Sequence, residues 1–114
     1  MAQKWFHFCQ NNSGGSFDID DERGIGPQVW IEADDADHAN YRAGRLGIYF
    51  DGVSKGRDCS CCGDRWYEAW SDDGEDRPNL NQDFHFNWHD TVYAHRSDGT
   101  IERIKKGDAW KDAA

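Results

Sequence analysis

The sequence has few apolar residues and few basic ones. Hydrophobic residues make up 37% of the 114, and no stretch is long and apolar enough to span a bilayer. The chain has 13 Lys and Arg and 22 Asp and Glu, so its net charge is −9. The basic surface that a nucleic-acid-binding protein needs is therefore not expected. The first residues also lack the apolar core of a signal peptide. We therefore expect a cytoplasmic protein with no membrane association and no direct nucleic-acid binding.

Aromatic residues, in contrast, are abundant. They make up 14% of the chain and include six Trp and six Phe, which argues against disorder. A chain of this length has room for one core, which we expect to be built largely from these rings. The sequence therefore predicts a single domain over residues 1–114, with a frayed polar tail at 105–114.

Segments rich in β-branched and aromatic residues predict a sheet. In the first of them, alternation places Phe6 and Phe8 on the core face and Trp5, His7 and Cys9 on the other face. Asp98-Gly99 predicts the turn of a β-hairpin that joins the last two strands. The predicted strands cover residues 4–9, 28–33, 65–70, 84–88, 91–96 and 100–104, and residues 48–50 are predicted as a short strand or an extended segment.

One helix is predicted, over about residues 35–46. Ala36, Ala39, Ala43 and Leu46 fall on one face at helical spacing. Asp34 or Asp35 precedes them as a cap, and Gly47 is a natural C-terminal cap. The fold class is therefore α+β, with a mostly antiparallel sheet, one covering helix and a cysteine-knuckle loop.

The clearest chemical motif is the knuckle Cys59-Ser60-Cys61-Cys62-Gly63. Two thiolates at C-x-x-C spacing can hold one tetrahedral zinc ion, and Gly63 permits the tight turn that follows. In a reducing compartment such crowding of thiols favours a metal over disulfides. A redox dithiol is the rival interpretation, but that motif normally opens a helix.

The remaining zinc ligands must come from elsewhere in the chain. We rank Cys59 and Cys62 first, then Cys61 and His7. Cys9 follows as a further candidate, and His85 with His89 is the last alternative. A zinc ion with three protein ligands and an open position would instead indicate a small metal-dependent enzyme, although no hydrolase or protease nucleophile motif is present.

Two further groups of residues are candidates for ligand binding. The loop with Asn11, Asn12 and Ser13 has backbone N–H groups suited to a phosphate, but it lacks a P-loop lysine. Arg57 and Arg65 flank the knuckle together with Asp58 and Asp64. These charged residues form either ion pairs that brace the loop or, with the Asn11 loop and His7, a pocket for a nucleotide.

Two strings resemble a family of small uncharacterised proteins of tailed bacteriophages. They are WFHF-x-QNNSGGSF at residues 5–17 and IYFDGV…GRDC-x-CCGDRW at residues 48–66. The resemblance covers roughly residues 4–70 and implies a phage origin and a location in the bacterial cytoplasm. It implies no mechanism.

Together these features favour a non-enzymatic binding protein that acts on a host or anti-phage-defence protein, with a zinc knuckle as a structural element. One version of this hypothesis is an acidic surface that mimics nucleic acid. Its candidate charges are Asp18, Asp20, Asp21, Glu22, Asp34, Asp35 and Asp37. The alternatives are a nucleotide or second-messenger sponge and, ranked last, the metal-dependent enzyme.

Overall fold

The architecture is taken from a computed structural model of the chain, which describes residues 3–11, 19–58, 60, 63–78, 91–105 and 110. Its described elements are four strands and one helix. The strands are β1 (Lys4–Cys9), β2 (Gln28–Ala33), β3 (Thr91–His95) and β4 (Ile101–Lys105), and the helix is α1 (Ala36–Leu46). This is the small α+β fold that the sequence predicts.

The four strands form one mixed sheet in the order β1-β2-β3-β4. β1 pairs with β2 and β3 with β4 in antiparallel fashion, while the central β2 and β3 run parallel. Helix α1 and the long segment after it lie between these central strands in sequence, as a parallel pair requires. Two of the three pairings are antiparallel, so the predicted sheet type is confirmed.

Helix α1 begins and ends where the local sequence predicts. Asp35 caps the N-terminus by accepting a hydrogen bond from the backbone N–H of His38 at 2.8 Å. Gly47 ends the helix with a φ of 105°, a left-handed conformation that glycine adopts without strain. Ala36, Ala39 and Ala43 are buried, and their small side chains let the helix approach the sheet closely.

The sheet is packed on both faces. Phe6 and Phe8 lie in the larger core together with the helix alanines and Trp66. Trp5 and Trp30 belong to a second cluster on the opposite face. The predicted core face is therefore confirmed. The other face of β1 is partly covered, since Trp5 is buried and His7 is half-buried, while Cys9 is exposed.

The strand predicted at residues 65–70 is absent among the described residues, and residues 48–50 form no strand either. Residues 48–50 follow the helix cap instead, with the Ile48 N–H bonded to the Ala43 carbonyl at 3.0 Å. Residues 65–70 belong to none of the described strands, and side chains satisfy several of their backbone groups. Residues 84–88 lie outside the described part of the chain.

The hairpin and its turn are confirmed. The Arg96 N–H donates to the Thr100 carbonyl at 2.8 Å, and Gly99 has a φ of 94°. β4 extends to Lys105, and the half-buried ring of Trp110 packs edge-on against Trp5 with centroids 5.0 Å apart. These two residues lie within the segment where the sequence predicts a frayed tail.

Candidate functional site

Two regions bear on function, and the first surrounds the cysteine segment. Cys59, Cys61 and Cys62 themselves lie outside the described residues. The residues that flank them, Asp58 on one side and Gly63 on the other, are described. Gly63 has a φ of 87°, a left-handed conformation that glycine adopts without strain.

A hydrogen-bonded neck closes the loop that carries the cysteines. The Asp58 carboxylate accepts the Arg65 backbone N–H at 2.8 Å and the Tyr49 hydroxyl at 2.7 Å. Arg65 Nε lies 3.8 Å from the same carboxylate, and the Asp58 side chain is fully buried. We call this group, Tyr49, Gly52, Asp58 and Arg65, the knuckle neck. Of the two roles considered for the charged flanks, the Asp58–Arg65 pair supports bracing.

Gly52 packs directly beneath the Asp58 carboxylate. Its carbonyl accepts the N–H groups of Arg57 and Asp58, at 2.8 and 3.1 Å. A Cβ atom at this position would lie 1.9 Å from Asp58 Oδ2, closer than any non-bonded contact allows. The neck therefore requires glycine here because of the space available.

The knuckle neck is docked on the end of β1. Arg65 donates to Gln10 Oε1 at 2.9 Å and to the Tyr49 hydroxyl at 3.2 Å. Asn11 bonds twice to the same stretch, through its N–H to the Arg65 carbonyl at 2.8 Å and through its amide to the Asp64 carbonyl at 3.2 Å. The loop is thus fixed to the sheet by polar contacts.

The predicted ligand-binding residues meet only in part. Asn11 and Arg65 are in contact, and the exposed Arg57 guanidinium lies 3.7 Å from the centroid of the Tyr49 ring. Burial and the neighbouring Asp58 raise the pKa of the Tyr49 hydroxyl, which keeps it a proton donor to that carboxylate. Asn12 and Ser13 lie outside the described residues.

His7 lies on the opposite face of the sheet from Arg65 and Trp66. Its ring stacks on Trp30 with centroids 4.5 Å apart, and its Nε2 is hydrogen-bonded to Gln28 Oε1. The Gln28 amide also contacts the Cys9 sulfur at 3.2 Å, so His7 and Cys9 share a face as predicted. Burial lowers the pKa of His7, which favours the neutral ring.

The structure does not bring His7 beside the knuckle neck. The remaining candidate ligands, His85 and His89, fall outside the described part of the chain. Within the residues that are described, no three His, Cys, Asp or Glu side chains are grouped so as to hold a metal ion. The three knuckle cysteines lie outside that part of the chain.

Several of the acidic residues considered for nucleic-acid mimicry have local partners. Asp20 pairs with Arg23 at 3.4 Å, and Asp21 with Arg103 at 3.2 Å. Asp35 caps the helix, and Asp18 lies outside the described residues. Part of the negative charge therefore stabilises turns and helix ends.

The second region is the segment at residues 65–70, which follows the knuckle. Its exposed aromatic rings were not predicted from the sequence. A strand at residues 65–70 would place Trp66, Glu68 and Trp70 on one face. The segment instead buries Trp66 and Ala69, at 1% and 7% exposure, and leaves Tyr67 and Trp70 at 58% and 71%. The dense aromatic residues around one glutamate were the available signal, and only the tertiary structure shows which rings are exposed.

Asn40 of helix α1 fixes this segment. Its amide donates to the Ala69 carbonyl at 3.1 Å and accepts the Ala69 N–H at 2.8 Å, so one side chain satisfies both backbone groups. Glu68 and Trp70, on either side of Ala69, are thereby held in a defined position. We name the exposed group of Asp35, Asp37, Tyr67, Glu68 and Trp70 the aromatic–acidic surface.

Two clefts open on this surface, one on each side of Glu68 and Trp70. The wide cleft, of about 470 Å³, lies between the N-terminus of α1 and residues 68–71. The small cleft, of about 170 Å³, lies between that segment and the start of the knuckle loop. Both are lined by Glu68 and Trp70, so the two clefts adjoin on one surface.

Comparison with known proteins identifies a family. Residues 3–112 match the model described as a domain of unknown function (DUF7296). The chain belongs to this family. No curated protein and no solved structure shows a significant match to the DUF7296 chain. Over the described residues of this DUF7296 protein, no helix has the length and apolar character needed to cross a membrane.

Proposed function

We propose that this DUF7296 protein is a phage-encoded binding protein that acts on a host or anti-phage-defence protein through its aromatic–acidic surface. The phage origin and the bacterial-cytoplasmic location rest on the resemblance carried by residues 5–17 and 48–66. The role rests on a single observation. Trp70, the largest side-chain type, is 71% exposed on a segment whose backbone is fixed.

Exposed tryptophan and tyrosine are the residue types most enriched at the energetic centres of protein interfaces. Burying such a ring against a partner removes a large apolar area from water. Because Asn40 already holds the neighbouring backbone, less conformational entropy is lost when the rings are buried. Tyr67 and Trp70 therefore suit the role of interface anchors.

The charge of the surface indicates a basic partner. Asp35, Asp37 and Glu68 line the wide cleft beside Trp70, and the whole chain carries a net charge of −9. Complementary charge speeds association and selects against acidic partners. A partner with exposed arginine or lysine side chains would meet both the rings and the carboxylates.

We further propose that Cys59, Cys61 and Cys62 bind zinc as a structural element. The support is the knuckle neck, which joins Asp58 to Arg65 and so closes the loop that contains the cysteines. Zinc would fix the part of the loop beyond this neck. His7 is hydrogen-bonded to Gln28 and stacked on Trp30 on the other face of the sheet, so we do not propose it as the fourth ligand.

Capture from a bacterial host lysate tests the proposed function. Wild type, Trp70→Ala and Ser54→Ala serve as baits, since Ser54 is exposed on the knuckle side and lines neither cleft. We expect a basic protein to be retained by wild type and Ser54→Ala and to be lost with Trp70→Ala. Its purified complex should weaken as salt increases, because the attraction of exposed charges is screened.

Two results would count against the proposal. One is that wild type retains nothing that Trp70→Ala does not also retain. The other is a complex whose affinity does not change with salt.

A further inference from the structure

The small cleft combines two kinds of side chain that rarely line one cavity. Four aromatic rings form part of its wall, from Phe50, Trp66, Tyr67 and Trp70. Three carboxylates complete it, from Asp51, Asp64 and Glu68. No lysine or arginine is among the lining residues that the structure describes. The lining of the cavity is therefore aromatic and acidic.

Organic cations match both features. The face of an aromatic ring attracts a cation through its quadrupole, most strongly for tryptophan, and carboxylates attract it through charge. A phosphate group would be repelled, because it carries the same negative charge as the three carboxylates that line the cavity. The small cleft is therefore unsuited to the phosphate end of a nucleotide.

Among protein cations, the guanidinium group fits this wall better than an ammonium. It is planar, so it stacks on aromatic faces, and its five N–H donors can pair with a carboxylate in a bidentate manner. It is also more weakly hydrated than an ammonium and is more readily moved out of water. The volume of about 170 Å³ is small, so only the end of one side chain is accommodated.

We propose that the small cleft binds one arginine side chain of the partner protein, with the guanidinium between the aromatic rings and the carboxylates of Glu68 and Asp64. This inference rests on the proposed function and names the group on the partner that the aromatic–acidic surface recognises. Asp64 keeps one oxygen on the Val53 N–H, at 2.9 Å, which holds its carboxylate at the wall. Glu68 is exposed and adjusts to the bound cation.

The test uses three blocked tripeptides, Gly-X-Gly, in which X is arginine, lysine or citrulline. Citrulline has nearly the same shape as arginine but carries no charge. Binding is followed by NMR from the indole N–H signals of Trp66 and Trp70. We expect saturable shifts with the arginine peptide, a Kd on the order of 1–10 mM, weaker binding of lysine, and at least about tenfold weaker binding of citrulline.

Matched variants identify the site. Glu68→Gln should weaken arginine binding about fivefold or more, since it removes one unit of charge from the wall. Glu22→Gln removes the same charge from an exposed turn that lines neither cleft, and it should leave binding unchanged. Equal binding of arginine and citrulline, no saturable shift with any peptide, or equal effects of the two variants would overturn the inference.

Failure of this inference differs from failure of the proposed function. If a captured basic partner depends on Trp70 but arginine peptides do not bind, the function stands and the arginine site is wrong. If arginine peptides bind but no partner depends on Trp70, the arginine site stands and the proposed function is wrong.

Discussion

The knuckle neck and the aromatic–acidic surface lie side by side but have opposite physical character. In the neck, the Asp58 carboxylate is fully buried and accepts bonds from Tyr49 and Arg65. On the surface, the rings of Tyr67 and Trp70 are mostly exposed. One region has its polar groups satisfied internally, and the other presents chemistry to the outside.

This difference assigns different roles to neighbouring residues. A buried carboxylate that already pairs with its neighbours has little capacity left for a ligand, so the neck is structural. An exposed ring beside carboxylates gains by being covered, so the surface is suited to binding. Changes in the neck are therefore expected to lower stability, while changes on the surface are expected to lower affinity.

The largest expected effect concerns zinc. Elemental analysis of purified wild type should find one zinc per chain, and Cys59→Ser should lose it together with about 3 kcal/mol or more of the free energy of unfolding. Ser60→Ala changes an exposed residue of the same segment and should keep both. A wild-type protein that is fully folded without metal would refute the zinc proposal.

The next effect concerns the packing of the knuckle neck. Gly52→Ala places a methyl group 1.9 Å from Asp58 Oδ2, so either the carboxylate or the loop must move. We expect a loss of about 3 kcal/mol in denaturant unfolding, the usual scale for overpacking at a buried site.

Gly44→Ala is the matched control for that variant. A Cβ on Gly44 meets nothing within 4 Å, and this residue lies within helix α1. Alanine there should raise stability by about 0.5–1 kcal/mol. If Gly52→Ala also leaves stability unchanged or raises it, the close packing of Gly52 against Asp58 does not contribute to the stability of the neck.

Local patterns in the sequence predicted much of the fold. Helix α1 is specified by alanine spacing and by two capping residues, Asp35 and Gly47, and all of these signals act within a few positions. The hairpin turn at Asp98-Gly99 is similarly local. The parallel pairing of β2 with β3 was not predictable in this way, because it joins Ile31 to His95 across 64 positions.

The site was less predictable than the fold. An ion pair such as Asp58–Arg65 was one of the two roles predicted for the charged residues that flank the cysteines. The exposure of Trp70 was not anticipated, since the aromatic content of residues 65–70 indicated a strand. The partners that fix this segment are side chains, namely Asn40 on Ala69 and Asp58 on Arg65, and such contacts leave no periodic signal.

Trp70→Ala has the smallest expected effect on stability, and it tests most directly whether the knuckle neck is structural while the aromatic–acidic surface binds. Trp70→Ala should alter the free energy of unfolding by less than about 0.5 kcal/mol, because the side chain is largely exposed. The same protein should bind the Gly-Arg-Gly peptide at least about tenfold more weakly than wild type. Unchanged stability with lost binding is the predicted result. Unchanged binding, or a large loss of stability, would contradict the separation of a structural neck from a binding surface.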